Sequence, residues 1–251
     1  ATGVHLAPVE LDREFLLSEG FDEDRIFVVG NSVVDATEEA LKKYESTKVR
    51  KLKVFEQYPM LEKGDFVRFC IHRRENCFSE KRFRAIYGAM KSLIESGRTV
   101  LLISMIQTDL AFERFGLKAE VEALAKTHKN FILSPVWSEY ADTIAAMSRA
   151  AVCATDSGSM QEEMNVLGVP CVTLRFGSDR SESAICGGNI IVPPVDSVMI
   201  RKTIEYAWDN QEMRKAPKIY GSGVSAKCID AVEKVLKTGN IFRSEEERLQ
   251  M

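Results

Sequence analysis

The stretch CATDSGSMQEE, residues 153–163, places two adjacent carboxylates just after a loop of small residues. An apolar run ends at Thr155, the loop follows, and a helical pattern begins near Ser159. The first N–H groups of a helix have no intrahelical acceptor, so such an end binds phosphate or another anion without a cationic side chain. Helix capping by the side chain of Asp156 or Ser157 is the simpler interpretation of the same residues.

The two carboxylates differ in their expected orientation. At helical spacing, Met160, Met164 and Leu167 form an apolar stripe. Glu163 lies at the edge of that stripe, whereas Glu162 points farther out. A carboxylate beside the inner face can accept hydrogen bonds from two neighbouring hydroxyls, such as a ribose diol. We therefore expect Glu163 at a nucleotide site and Glu162 in solvent.

The segment HRREN, residues 72–76, brings cationic side chains to the end of another apolar run, FVRFCI. Arginine suits phosphate because its planar fork donates two parallel hydrogen bonds. His72 can donate to a phosphate oxygen or transfer a proton near neutral pH. A solvated charged turn is the alternative. The position of His72, Arg73 and Arg74 at the carboxyl end of a strand favours an anion site.

Two further polar clusters also follow apolar runs. In RFGSDRSES, residues 175–183, Arg180 and Glu182 lie in a small-residue loop and form either part of a ligand site or a surface ion pair. In SPVWSEYADT, Trp137 and Tyr140 follow a strand. An aromatic ring there could cover a flat base, although core packing is the commoner role of a tryptophan.

The elements that must position these clusters are short apolar runs alternating with helical patterns. The runs are continuously apolar, which is typical of strands covered on both faces. Helical spacing begins after several of them, for example at Ser79, a predicted N-cap. Beyond residue 195 only helical patterns remain, at 197–209 and 223–237, before a charged tail. The predicted strands are 25–29, 66–71, 99–104, 130–136, 150–155, 170–175 and 189–192. This rhythm predicts an α/β fold with a Rossmann-like, doubly wound parallel sheet, in which ligands bind beyond the carboxyl ends of the strands.

Composition limits the classes of function. The 251 residues carry a net charge of −3, and no basic block alternates with aromatic residues, so we expect no nucleic-acid partner. The apolar runs are too short to span a bilayer, so no membrane association is expected. The six cysteines show no CxxC spacing, and three lie in apolar runs. This usage is typical of buried, reduced thiols and predicts a cytoplasmic protein.

Taken in order, the motifs IHRREN, TDSGSMQEEMNVLGVPCVTLR and SDRSESAICGGN resemble the carboxyl-terminal half of bacterial and archaeal UDP-N-acetylglucosamine 2-epimerases of the non-hydrolysing type. The segment HLAPVELDREFLLSEGFDEDRIFVVGNSVVDA is similar to the family's passage from its first domain to its second. The resemblance implies the carboxyl-terminal domain of a glycosyltransferase-B-type two-domain fold. Residues 1–30 would connect to a first domain, 31–210 would form the UDP-binding Rossmann-like domain, and 211–251 the crossing helix and tail.

The resemblance also implies roles for individual residues. Ser157 and Gly158 match positions that contact the diphosphate of UDP, and Glu163 matches the carboxylate that binds the ribose hydroxyls. His72 matches a histidine near the leaving UDP and is the expected catalytic residue, with Arg73 in the same anion-binding motif. Two loops are implied to lie close to the nucleotide. They are the loop with Arg180 and Glu182, which matches the family's TERPE loop, and the segment after Pro135, whose backbone is implied to contact uracil.

The implied reaction inverts C2 of the amino sugar by elimination and re-addition of UDP, interconverting UDP-GlcNAc and UDP-ManNAc without a metal or redox cofactor. In this family the acid and base carboxylates belong to the first domain. On this reading the chain alone binds UDP, or a UDP-N-acetylhexosamine, and is inactive without that domain. A homodimer is implied for the full-length enzyme, through the first domain.

The sequence departs from the family pattern at three places. Ser159 stands where the usual motif has a second glycine, SDRSES replaces TERPE, and the strand end LLISMIQTDL lacks a histidine that many members carry. That histidine has been linked to a second, regulatory UDP-sugar site in some members. Three alternatives to a UDP-GlcNAc 2-epimerase remain open. They are an epimerase of another UDP-2-acetamido sugar, a UDP-sugar glycosyltransferase, and a UDP-sugar-binding module without catalysis.

Overall fold

The computed structural model describes residues 3–46 and 53–238. Their Cα positions form two compact units. One combines the described residues up to Glu38 with those from Lys218 onward, and the other runs from Glu39 to Pro217. The functional division expected from the sequence, with a nucleotide-binding domain at 31–210, stays a prediction. The charged tail expected after residue 241 lies outside the described residues.

The first unit contains a two-stranded parallel sheet, formed by β1 (His5–Ala7) and β2 (Ile26–Val28). Strand β2 was expected, although not in a separate sheet, and the three-residue β1 was not predicted because it is too short to give a pattern. Helices α1 (Glu10–Ser18) and α14 (Val224–Lys237) belong to the same unit. The carboxylate of Asp35 caps α14 by accepting hydrogen bonds from the N–H groups of its first two residues.

The second unit is built on a six-stranded sheet with every pair of neighbours parallel, in the order β5-β4-β3-β6-β7-β8. Each strand lies within a predicted apolar run, and the doubly wound α/β class is confirmed. The strands are β3 (Phe66–Cys70), β4 (Thr99–Ser104), β5 (Phe131–Pro135), β6 (Val152–Thr155), β7 (Cys171–Thr173) and β8 (Asn189–Ile191).

In the chain, each strand of the six-stranded sheet is followed by a helix. Helix α6 (Glu80–Glu95) begins where the sequence indicates, since the hydroxyl of Ser79 accepts a hydrogen bond from the N–H of Arg82. The predicted helix at 197–209 is α12 (Ser197–Asp209), and the one at 223–237 is α14. The other helices are α2 (Val33–Ser46), α3 (Lys53–Gln57), α4 (Pro59–Glu62), α5 (Arg74–Cys77), α7 (Ile106–Arg114), α8 (Lys118–Thr127), α9 (Tyr140–Arg149), α10 (Gly158–Leu167), α11 (Ser181–Ile185) and α13 (Gln211–Arg214).

Apolar clusters lie on both faces of the six-stranded sheet. On strand β3, Val67 and Phe69 join one cluster, while Phe66 and Cys70 join the other. Successive side chains of a strand point to opposite faces, so covering both faces requires a continuous apolar run. This explains why the strands did not alternate in polarity. Four cysteines are buried and two are half-buried, all as free thiols.

The direction of chain winding reverses between β3 and β6. The chain moves outward through β4 and β5 on one side, and through β7 and β8 on the other. Loops leaving two adjacent strands at such a reversal diverge and open a crevice beyond the carboxyl ends, where ligands bind. The HRREN loop follows β3 and the TDSGS loop follows β6, so the reversal brings the two predicted motifs together.

Helices in the described part of the chain fall short of the length and apolar character required to cross a bilayer.

Candidate functional site

Asp156 links the two loops at the reversal. Its carboxylate is fully buried and accepts a hydrogen bond from the backbone N–H of His72 at 3.0 Å and from that of Arg73 at 3.0 Å. The side-chain amide of Asn76 donates to the same carboxylate at 3.0 Å. Three donors from the HRREN loop therefore converge on one residue of the neighbouring loop, which fixes the position of the cationic motif beside the start of α10.

The N-terminus of α10 carries no side-chain cap. Ser157 occupies the N-cap position with extended backbone angles, and its hydroxyl makes no capping bond. The carboxylate of Asp156 is directed at the HRREN loop instead, so the capping interpretation of both residues is wrong. The first turn also contains no acidic residue. The N–H groups at this end and the positive end of the helix dipole are therefore suited to an external anion.

Arg73 and His72 lie beside this helix end. A Cβ atom placed on Gly158 would lie 3.5 Å from Nη2 of Arg73, so the guanidinium and the first residue of α10 border the same small volume. The imidazole Nδ1 of His72 is 3.6 Å from Oδ1 of Asp156, and about a third of the His72 side chain is exposed. Both cationic-capable side chains thus stand where the sequence predicts an anion site.

A cavity of about 320 Å³ adjoins the helix end. It opens among the loops after β3, β4, β5 and β6, and it is of the size that small-molecule sites occupy. His72, Ser157 and Glu163, three of the predicted site residues, all line it. The other lining residues include Arg68, Cys70, Met105, Val136, Trp137, Ser159 and Met160.

Glu163 lies in the wall of this cavity and is 8% exposed. The hydroxyl of Tyr140 donates to its Oε1 at 2.8 Å. Burial raises the pKa of the Glu163 carboxyl, and the hydrogen bond from Tyr140 and the charge of Arg68 oppose that rise without cancelling it. The inward orientation predicted from the helical stripe is confirmed, with Met160 and Met164 buried beside it.

Glu162 was expected in solvent, and that prediction is wrong. The residue is only 4% exposed, and its carboxylate accepts a hydrogen bond from Nε of Arg180. The loop between β7 and α11 covers the side of α10 that amphipathic spacing assigns to water. Burial raises the pKa of Glu162, and the charge of Arg180 opposes the rise. The neighbouring Gln161 is buried too, and its amide oxygen accepts from the hydroxyl of Ser178 at 2.7 Å.

Arg180, like Arg73 and Gly158, does not line the cavity. Its Nε is directed at Glu162, and one of its Nη atoms donates to the carbonyl of Asp179 at 2.8 Å. Arg180 therefore anchors its loop to α10, and direct contact with a nucleotide stays a prediction.

Trp137 has the core-packing role that was weighed for it, and contact of its ring with a base stays a prediction. The ring is half-buried against the apolar cluster under α9 and α10, and it also lines the cavity. Its indole N–H donates to the hydroxyl of Ser134 at 2.9 Å, which fixes the ring at the cavity edge.

Three residues of the site were not predicted. The linking role of Asp156 depends on contacts between residues eighty or more positions apart, which a single sequence does not show. Arg68 lies within β3, is 4% exposed and lines the cavity, where Nη1 donates to the sulfur of Met160 at 3.2 Å. One charged residue inside the apolar run FVRFC was a signal for it. Asp179, which contacts Arg73 and Arg175, gave no such signal.

Comparison with known proteins gives a consistent result. The family model for UDP-N-acetylglucosamine 2-epimerase matches residues 1–234. The UDP-N-acetylglucosamine 2-epimerase of Methanocaldococcus jannaschii is 32% identical over 224 residues, which are 89% of this chain and 58% of that protein. The enzyme of the same name from Neisseria meningitidis is 28% identical, over 93% of this chain and 61% of the relative.

Solved structures agree with the sequence matches. The M. jannaschii UDP-GlcNAc 2-epimerase in complex with UDP-GlcNAc and UDP superposes with a TM-score of 0.79 at 29% identity, over 92% of this chain and 61% of that one. The N. meningitidis enzyme bound to UDP-GlcNAc gives 0.78 at 26% identity, over 94% and 62%. The chain thus spans about three fifths of the length of these proteins. With the match to nearly its whole length and the ordered motifs in place at the reversal of the sheet, the chain belongs to the UDP-N-acetylglucosamine 2-epimerase family.

Proposed function

We propose that this chain is the UDP-binding half of a UDP-N-acetylglucosamine 2-epimerase. The observation that carries the proposal is the uncapped N-terminus of α10 beside Arg73, adjoining a cavity with a buried carboxylate in its wall. The diphosphate binds the N–H groups at Gly158 and Ser159 and the guanidinium of Arg73. The ribose hydroxyls donate to Glu163, and the base lies toward Val136 and Trp137.

The groups that line the site support this placement of the diphosphate, the ribose and the base. An anion fits the helix end because the N–H groups and the dipole are fixed there before binding, so little reorganisation is needed. Glu163 is held by Tyr140, and its second oxygen can accept from a diol. Trp137 has a rigid ring at the far side of the cavity, where one face of a base can stack.

In the proposed reaction a base removes the C2 proton of UDP-GlcNAc, and the electron pair forms the C1–C2 double bond. The C1–O bond breaks, and UDP leaves with its electrons. Protonation of C2 from the opposite face and attack of the UDP oxygen on C1 then give UDP-ManNAc. Negative charge develops on the departing diphosphate, so the α10 N-terminus and Arg73 stabilise the transition state more than the ground state. His72 donates a hydrogen bond to the leaving oxygen.

The acid and base carboxylates are proposed to come from a further domain, as the family resemblance implies. Among the described carboxylates near the diphosphate position, Asp156 accepts from three donors and Glu162 from Arg180. Asp179 accepts from Arg73 and Arg175. Glu163 lies on the ribose side. The chain therefore supplies leaving-group binding, and proton transfer at C2 takes place only when such a domain completes the cleft.

Titration calorimetry of this chain with UDP tests the binding half of the proposal. The chain is expected to bind one UDP, with weaker affinity than a closed two-domain cleft would give. Glu163→Gln should weaken binding roughly tenfold, the loss of about one charge-assisted hydrogen bond. The control Glu122→Gln changes an exposed glutamate of α8 and should leave the affinity unchanged. Absence of heat at millimolar UDP, or equal affinities of Glu163→Gln and the control, would refute the assignment.

The reaction itself is tested by solvent exchange. UDP-GlcNAc is incubated in deuterium oxide with a protein in which this chain follows the family's amino-terminal domain, and C2 is observed by NMR. Epimerisation predicts deuterium at C2 and formation of UDP-ManNAc with no acceptor present. Glycosyl transfer predicts no C2 exchange, and this result would exclude the epimerase reaction while leaving UDP binding intact.

A further inference from the structure

The carboxylate of Asp179 lies at the N-terminus of α10, where the diphosphate is proposed to bind. A Cβ atom on Gly158 would be 3.6 Å from its Oδ1 and 3.7 Å from its Oδ2. The same carboxylate accepts from Nη2 of Arg73 at 3.3 Å and from Nη1 of Arg175 at 2.8 Å. The carboxylate of Asp179 thus contacts Arg73 and borders the N-terminus of α10, the two groups that a bound diphosphate would use.

The chain holds Asp179 in this place from both sides. The hydroxyl of the preceding Ser178 donates to Gln161 on α10 at 2.7 Å, and the following Arg180 pairs with Glu162 on the same helix. Both glutamine and glutamate are buried. These two polar residues of α10 therefore fasten the loop that carries Asp179 over the start of the helix, which accounts for their burial.

The side chain of Asp179 is ionised in this position and can also rotate away from it into water. Burial would raise its pKa, but hydrogen bonds from its own backbone N–H and from Arg175, with the charge of Arg73, hold the pKa below its ordinary value. Nearly half of the side chain, 48%, is exposed. A rotation of Asp179 into water breaks its partly exposed pair with Arg73, which is weak, and leaves Arg175 paired with Glu75, so the rotation costs little.

We propose that Asp179 is a built-in competitor of the diphosphate, which keeps Arg73 in place in the empty site and must move aside when the ligand binds. The inference rests on the proposed function, because it concerns the same anion position. Asp179 then sets the affinity of the site. A carboxylate that served only to orient Arg73 toward the ligand would strengthen binding, so the two roles predict effects of opposite sign.

The test is calorimetric titration of UDP into the wild-type chain and into Asp179→Asn and Asp179→Ala. Loss of the competing charge should tighten UDP binding by roughly three- to tenfold in both variants. The matched control is Glu75→Gln, because Glu75 pairs with the same Arg175 at 3.0 Å and is similarly exposed. The Glu75 carboxylate pairs with Arg175 and is not among the atoms nearest to a Cβ on Gly158, so the control should change the affinity by less than twofold.

Each outcome decides the matter. Tighter binding in both Asp179 variants but not in Glu75→Gln supports the competitor. Unchanged or weaker binding in the Asp179 variants overturns it, and so does an equal gain in Glu75→Gln, since the effect would then be general charge neutralisation. If wild type and all variants fail to bind UDP, the proposed function fails instead, so the two failures are distinguishable.

Discussion

Substitution of Asp156 by asparagine should damage both the stability of the fold and the UDP site. The change removes one charge and replaces one carboxylate oxygen by an amide that donates. In its better orientation the asparagine oxygen faces the N–H of Arg73 and the amide of Asn76, so two hydrogen bonds remain as neutral ones. The backbone N–H of His72 then faces the NH2 group of the asparagine, which cannot accept, and so this N–H loses its hydrogen bond.

The magnitude follows from these three bonds. A hydrogen bond to a charged group contributes about 1.5–3 kcal/mol and a neutral one about 1 kcal/mol. Losing one bond and weakening two costs about 4 kcal/mol, and easier burial of a neutral side chain offsets about 1 kcal/mol of this. The expected loss in the free energy of unfolding for Asp156→Asn is therefore about 3 kcal/mol. A chain of this size would show a fall in Tm of roughly 6–12 °C.

Urea unfolding followed by circular dichroism measures the loss, with Asp209→Asn as a control at an exposed position of α12. The control should lie within about 0.5 kcal/mol of the wild-type chain. UDP affinity of Asp156→Asn, measured on the folded variant, should also fall because the loop bearing His72 and Arg73 loses its anchor. A variant as stable as the control would refute the role assigned to Asp156.

Three other substitutions test separate parts of the site. Gly158→Ala should keep the fold, because its Cβ meets only ordinary contact distances, and a melting curve checks this. The same Cβ enters the diphosphate position, so calorimetry should show UDP binding weakened about tenfold. The Tm of Glu163→Gln should rise relative to that of the wild-type chain as the pH increases from 4.5 to neutral. The reason is that burial raises the pKa of Glu163 in the folded chain above its ordinary value of 4.5. The carboxyl of Glu163 then holds its proton more tightly in the folded wild-type chain than in the unfolded one, so the stability of the wild-type chain falls as the pH rises from 4.5 to neutral. A difference in Tm between the two proteins that does not change with pH would contradict this. Glu162→Ala should lower Tm by several degrees with a smaller loss of UDP affinity than Glu163→Ala, and an equal loss would remove the distinction between the two carboxylates.

The sequence predicted the framework because continuous apolar runs have a direct physical cause. Strands covered on both faces are apolar at nearly every position, as β3 is apart from Arg68. The HRREN and TDSGS loops then meet wherever β3 and β6 are adjacent. Glu163 was predicted correctly because the stripe through Met160 and Met164 faces the core. The short β1 was missed because three residues give too little pattern.

The error at Glu162 shows the limit of that reasoning. Helical periodicity separates an inner face from an outer one, but it does not show what else packs on the outer face. In α10 the loop bearing Ser178 and Arg180 covers that face, so polar side chains became buried and paired. The contacts of Asp156 and Asp179 have the same origin. The contacts of Asp156 with the HRREN loop and of Asp179 with Arg73 join segments distant in the chain, and only the fold brings them together.

A crystal structure of this chain with UDP tests the central claim most directly. We expect diphosphate oxygens within hydrogen-bonding distance of the N–H groups of Gly158 and Ser159, and the ribose hydroxyls on the carboxylate of Glu163. UDP bound elsewhere, with the N-terminus of α10 still empty at saturating ligand, would contradict it.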